Sequence, residues 1–406
     1  MTDSQIPASP LEIRPLQYRD LEVVEALAAK SCEADPNLCS LTLGRQLQQV
    51  RRWYGLLKFL SLFPNPRQHF FSAYVAEQNQ RVSGMVQVSP FNSTRSTWRV
   101  DRIMVEEATE DTPISPLETG NQLLRHCFET IIEARTWLLE VNVNHEKALA
   151  VYRQNGFQPL AQLTYWAIAP EQLQALAERE PNLANLLPIS NADAKLLCQL
   201  DTVSMPPLLR QVFDRHINDF KHSIFDKVGT YLDKWTGRAQ LVQGYVFEPQ
   251  RKAAIGYFRV EGCKDGTRPH QARVTVHPAY TWLYAELFAH MARVVQELPP
   301  QSLQLVSADY QPEREEYLEK FGAERIEHSL LMSRSVWHKI REAKPLEALQ
   351  LSEMLQGLQP RRTPVPTRIS WFNSALSAQR DRATQPESNN GSGKKESSQK
   401  PPKSQA

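Results

Sequence analysis

A chain of 406 residues with 41% apolar content can bury the cores of two domains, and its net charge of +2 points neither toward nor away from nucleic acid. Its five cysteines (Cys32, Cys39, Cys127, Cys198 and Cys263) are scattered with no CxxC pair, which fits a reducing cytosol and argues against zinc. The N-terminal MTDSQIPASP has no apolar core and so does not read as a signal peptide, and the longest apolar stretch, Trp53 to Phe63, contains Lys58 and is too short to span a membrane, so a cytoplasmic location is expected.

After residues 1–10, which are expected to be disordered, the segment from Leu11 to Pro15 reads as a short strand. Asp20 then caps a helix with Leu21, Val24 and Leu27 on one face. Leu43 to Leu60 reads as a second helix, with Trp53, Leu56, Leu57 and Leu60 spaced for one side. Phe70 to Glu77 and Val82 to Val88 alternate around Asn79-Gln80-Arg81 and predict a hairpin. Trp98 to Val105 is a further strand. The long loop Glu106 to Thr119 leads into a helix with Leu123, Leu124, Cys127, Phe128 and Ile131 as its buried stripe.

The segment from Trp137 to Gln158 carries the most information. Trp137, Leu138 and Leu139 open it, and alternation continues through Val141 and Val143, which is the period of a strand. Ala148, Val151 and Tyr152 then recur at helical spacing, Asn155-Gly156 stops the helix, and Phe157 opens another strand. A strand, short helix and Gly-Phe exit in this order resemble the C-terminal half of the GNAT-type N-acetyltransferase domain. Ala148, Tyr152, Gly156 and Phe157 match that family's pattern in register. The resemblance covers Leu11 to Ile168, and the first half is similar to bacterial ribosomal-protein N-terminal acetyltransferases.

The resemblance implies acetyl-coenzyme A as acetyl donor, with no metal. In the family the strand ending at Ile103-Met104-Val105 binds the pantetheine arm through its backbone, and the helix from Leu43 to Leu60 walls the acceptor pocket. A glycine-rich helix start binds the pyrophosphate, because free N–H groups there hold an anion. Here the sequence departs from the family. If Gly120 is the last family glycine, the earlier glycine becomes Glu118 and the basic residue becomes Ser115. Two capping boxes compete for the helix start: Ser115-Pro116-Leu117-Glu118 and Thr119-Gly120-Asn121-Gln122. With the first, Glu118 folds back on the helix start. With the second, the amides of Gly120, Asn121 and Gln122 face the cleft. The family's helix start, and the absence of a helix-interior penalty at Gly120, favour the second. The cofactor-contacting Asn of the family is displaced to Asn144, with His145 at its own position.

Acetyl transfer to an amine requires a base, because a free alkylamine has a pKa of about 10, and an acid for the leaving thiolate. By the same resemblance, Glu140 is the base and Tyr152 the acid.

The second half repeats the order of elements. Strand and helix openings come at Leu187 to Ser190 and Asn191 to Leu197. Strands follow at Gln240 to Val246, Ala253 to Val260 and Ala272 to Val276. A helix runs from Thr281 to Leu298, a strand from Leu303 to Ala308, a helix from Glu313 to Lys320, and a strand from Glu327 to Ser333. The functional residues do not repeat: Leu318 stands in the Tyr position and Ala323 in the Phe position. His216 and His222 read as surface histidines.

The expectation is therefore an α+β (mixed α/β) fold of two GNAT-like domains, each a mostly antiparallel sheet flanked by helices. Its boundaries are 11–168 for the first copy, 169–186 for a connector helix, 187–345 for a degenerate second copy, 346–359 for a final helix and 360–406 for a basic disordered tail. From Pro360 to Ala406 there are nine Lys/Arg and three Asp/Glu. Within this tail, Trp371-Phe372 amid basic residues is a candidate contact for a protein partner; nucleic acid is not expected. Two functions remain open: an acetyltransferase acting on an amine of a protein or small molecule, and a GNAT-fold binding or assembly protein that has lost catalysis.

Overall fold

The alternating segments become strands with buried apolar side chains, and the 3.6-period segments become helices laid on both faces of that sheet. A computed structural model of the chain describes residues 11–34, 72–107, 114–221 and 239–336, all within one compact unit, Met1–His338. The helix expected from Leu43 to Leu60, residues 1–10, the final helix 346–359 and the tail 360–406 lie outside the described residues.

In the first half the elements are β1 (Glu12–Pro15), α1 (Leu21–Ala34), β2 (Ser72–Gln78), β3 (Arg81–Pro90), β4 (Thr97–Val105), α2 (Pro116–Thr130), β5 (Thr136–Asn142), α3 (Glu146–Gln154) and β6 (Gln158–Ile168). Then come α4 (Pro170–Glu178), β7 (Leu186–Pro188), α5 (Ala194–Ser204), α6 (Pro207–Phe213), β8 (Ala239–Glu248), β9 (Ala253–Cys263) and β10 (His270–Val276). The last four are α7 (Leu283–Gln296), β11 (Leu303–Ala308), α8 (Pro312–Lys320) and β12 (Glu324–Ser335). The β2–β3 hairpin turns on Asn79 and Gln80, both at positive φ, as a two-residue primed turn requires. α3 and α8 each stop at a glycine of positive φ, Gly156 and Gly322.

The described strands form one 12-stranded sheet in the order β1-β2-β3-β4-β5-β12-β6-β11-β10-β9-β8-β7. All neighbours are antiparallel except β4 with β5 and β10 with β11. The last strand of each half crosses into the other half. β12 lies between β5 and β6, and β6 pairs with β12 and β11, both from the second half. The two junctions match in register: Ser329 opposes Asn142 in one, and Leu163 opposes Ala308 in the other. Counted from these pairs, Glu140 corresponds to Val306, Ala148 to Arg314, Tyr152 to Leu318, and Gly156 to Gly322.

Each half has its own main core on the same side of the sheet. In the first, α2 and α3 cover Trp98, Val100, Trp137, Leu139, Val141 and Met332, the last contributed by β12. In the second, α4 and α7 cover Trp166, Ile168, Phe258, Val260, Leu303 and Leu305. The segment expected to be a connector is thus a core helix, with Leu173, Leu176 and Ala177 buried against α7. On the other side of the sheet, α1 packs on Val75, Met85 and Met104, and α6 packs with Met205 and Leu209 on Ala161. The α6 segment, which has no strong sequence signature, ties the halves together. Asn92 donates to the carbonyls of Phe213 and Asp214 at 3.2 and 2.9 Å, and the Thr97 hydroxyl donates to that of Val212 at 2.8 Å.

Candidate active site

β4 and β5 run parallel only from the pair Thr97–Thr136 to the pair Val100–Leu139, and then part. The break coincides with a bulge. Gln87 of β3 opposes Arg102 but Val88 opposes Val100, so Asp101 is the extra residue. A bulge bends its strand and increases local twist. Residues 102–105 of β4, including Ile103, Met104 and Val105, remain paired to β3 and have no partner in β5. Among the described residues no strand pairs with this edge of β4 beyond Val100, and strand addition by an extended ligand would use such an edge.

Glu140 lies where the strands part. Alternation puts Trp137, Leu139 and Val141 in the core and turns Glu140 to the opposite face, where it is exposed. In the same row across the sheet it is followed by Leu331 and Ala161. The Tyr165 hydroxyl of β6 donates to Glu140 Oε1 at 2.5 Å. Although the side chain is accessible, the protein crowded around its carboxyl raises its pKa by desolvation. Hydrogen bonds from Tyr165 and Ser329 and the charge of Arg99 pull it down, and Glu327 adds repulsion. The Tyr165 hydroxyl is itself pushed far up, by desolvation and by Glu140. Beside them Asn142 Nδ2 donates to Glu327 Oε1 at 2.9 Å, and Ser329 Oγ donates to the same oxygen at 3.2 Å. The polar surroundings of Glu140 thus come from β6 and from β12 of the other half. Sequence reasoning missed Tyr165, Ser329 and Glu327, because only the strand exchange brings them near.

Tyr152 sits on α3, buried with Leu149 and Phe157, and its ring meets the Phe157 ring edge-on with centroids 5.9 Å apart. Burial pushes its hydroxyl up to about 12. It belongs to the core side of β5, and Glu140 to the other side. Asn144 and His145 are exposed at the start of α3. The amide of Asn144 donates to Asn142 Oδ1 at 2.9 Å, and His145 makes no side-chain cap.

The helix start differs from the favoured expectation. α2 begins at Pro116, and Ser115 Oγ accepts the Glu118 amide at 3.2 Å. The first capping signal prevails, but Glu118 does not fold back. It accepts from Gln122 Nε2 at 2.9 Å, one turn on. Thr119 and Asn121 are buried, and the amides of Gly120, Asn121 and Gln122 fall inside the helix rather than at its open end. Packing explains the choice. A Cβ on Gly120 would sit 3.2 Å from Val151 Cγ1, so the glycine lets α2 lie close to α3. Asn121 donates to Gln154 at 3.0 Å and accepts from Asn155 at 2.6 Å, which fixes the two helices. These contacts offset the helix-interior cost of glycine, about 1 kcal/mol. Ser115→Ala should remove the cap and lower stability by about 1 kcal/mol, read as a shift in the urea midpoint; no shift would mean that the α2–α3 packing alone sets the helix start.

The β4 edge that β5 leaves beyond Val100 fits an extended acyl-pantetheine arm. The α2 start fits a pyrophosphate less well, because Pro116 has no N–H, the Glu118 amide is capped, and the Thr119 amide donates to the Ser115 carbonyl at 3.0 Å. A separate groove, lined by Leu11, Ile13, Gln122, Arg125, His126 and Glu129, lies away from Glu140. Among the described residues no group of three or more His, Cys, Asp or Glu is placed to hold a metal, and no helix is long and apolar enough to cross a membrane.

No family model and no curated protein matches the chain. Among solved structures, it is similar to a GCN5-related N-acetyltransferase from Sphaerobacter thermophilus at 13% identity, covering 80% of this chain and 95% of that one, with a TM-score of 0.49. It is similar to a tandem GNAT protein from the clavulanic acid biosynthesis pathway at 14% identity, covering 80% and 98%, with a TM-score of 0.48. Over 38% of this chain and 88% of the other, it is similar to a ribosomal-protein-alanine N-acetyltransferase from Brucella melitensis at 18% identity, with a TM-score of 0.29. These neighbours are GNAT N-acetyltransferases.

Proposed function

We propose that the chain is a tandem GNAT protein that transfers an acetyl group from acetyl-coenzyme A to an amine of a protein or small molecule, using the gap in its first half. The observation that carries this reading is the parting of β4 from β5 at the Asp101 bulge, with Glu140 at the fork. The donor supplies an activated thioester carbonyl. The backbone of Ile103, Met104 and Val105 would hold its pantetheine arm. Asn144 and His145, at the start of α3, would line its path, and the α2 residues Thr119 to Gln122 would lie under the phosphate end.

Glu140 takes the amine proton. Its raised pKa makes it a stronger base than an ordinary carboxylate. Tyr152, protonated across the neutral range, gives a proton to the leaving sulfur. In the second half the matching residues are Val306 and Leu318, neither of which can hold or move a proton.

A second reading, a GNAT-fold binding protein without catalysis, is favoured by the capped start of α2. Calorimetric titration with acetyl-coenzyme A separates the two. Micromolar binding by the native chain supports the enzyme. Binding only by Glu118→Gly would mean that the native helix start excludes the donor. Binding by neither would remove the acetyl-coenzyme A reading.

A further inference from the structure

The second half has its own fork. β10 and β11 are parallel at His270–Leu303 and Gln271–Gln304, and then they part. A side chain bridges this fork. Arg314, in the first turn of α8, is 6% exposed. Its Nη1 donates to the Val306 carbonyl of β11 at 2.9 Å, and its Nη2 donates to the Val274 carbonyl of β10. Both carbonyls lie beyond the last paired residues, so they belong to the diverging backbone that an extended ligand would otherwise bond. The guanidinium also lies over the Tyr284 ring of α7, 5.7 Å from its centroid. The planar fork of arginine suits this bridge, since two of its N–H groups reach two strands at once. Nε is left without a hydrogen-bond partner.

The corresponding residue of the first half is Ala148. α3 (Glu146–Gln154) and α8 (Pro312–Lys320) start and stop at matching positions, and each carries the residue in question third. A methyl group cannot cross the gap. The two forks therefore differ at this position: Arg314 bridges one, and Ala148 cannot bridge the other.

We propose that Arg314 is a built-in occupant of the second fork, so that of the two forks among the described residues the one between β4 and β5 is left to an extended ligand. The ligand class assigned to that open gap, an acyl-pantetheine arm, rests on the function proposed above; the Arg314 bridge does not.

Hydrogen–deuterium exchange on the intact chain tests the bridge without any ligand. In Arg314→Ala, residues 272–276 and 303–308 should exchange about tenfold faster or more, because two charge-assisted hydrogen bonds are lost, while residues 100–105 stay unchanged. Arg314→Lys keeps the charge but cannot fork to both carbonyls. It should behave like the alanine variant, and it serves alone if the alanine variant does not fold. Native-like exchange in either variant overturns the bridge.

Titration with coenzyme A then counts the gaps. One equivalent for the native chain, lost in Ala148→Arg, supports the proposal, and two equivalents overturn it. No binding together with the expected exchange pattern leaves the Arg314 bridge standing and removes the acetyl-coenzyme A reading.

Discussion

Glu140→Gln should lower kcat by about 100-fold or more, the usual worth of a positioned general base, with little change in acetyl-coenzyme A affinity. Glutamine keeps the shape and can still accept from Tyr165, so a fall in rate reports the lost proton acceptor. The pH profile gives the sign. A base works when deprotonated, so kcat/KM should fall as pH drops through the raised pKa of Glu140, above the ordinary carboxylate range. Tyr165 holds that pKa down by donating to the carboxylate. Tyr165→Phe should therefore move the acid limb to higher pH while leaving the high-pH plateau within a few-fold of native. Stability runs the other way. Folding favours the protonated form of Glu140, so its contribution is greatest below the ordinary carboxylate range and falls as pH rises through the raised value. Unchanged turnover in Glu140→Gln would remove this residue from the mechanism.

Met332→Ala should cost about 2–5 kcal/mol, as truncating a fully buried side chain does, and both halves should feel it. Met332 is inaccessible and comes from the last strand of the second half, yet it packs in the core of the first. It opposes Leu139 of β5 on one side and Pro159 of β6 on the other. Urea unfolding followed by tryptophan fluorescence and by circular dichroism should show one shared transition at lower midpoint. Two separate transitions would mean that the halves unfold independently. By the same argument, a fragment of residues 1–168 should not reach a native fold. Its β5 would lack β12, and its β6 would lack both β11 and β12. A fragment with native near-ultraviolet dichroism would show that the exchanged strands are dispensable.

Most of the elements were legible in the amino-acid pattern. Alternation from Trp137 to Val141 specified a strand with one buried face, and Gly156 and Gly322 specified the helix ends, because positive φ suits residues without a Cβ. It also placed Glu140 on β5 and Tyr152 on α3, and it marked the second half as a repeat lacking their chemistry.

Three features depended on packing between distant segments. The start of α2 was one of two local signals of similar strength, and the close approach of Gly120 to Val151 and the Asn121–Asn155 bond selected the earlier one. The exchange of β6 and β12 left no mark in the pattern, because periodicity says which face of a strand is buried and not which strand lies beside it. Backbone ladders form between any two strands of suitable length. For the same reason neither Tyr165 beside Glu140 nor Arg314 across the second fork was legible. Tyr165 meets Glu140 across 25 residues and Arg314 meets Val274 across 40, and only the folded sheet sets those distances.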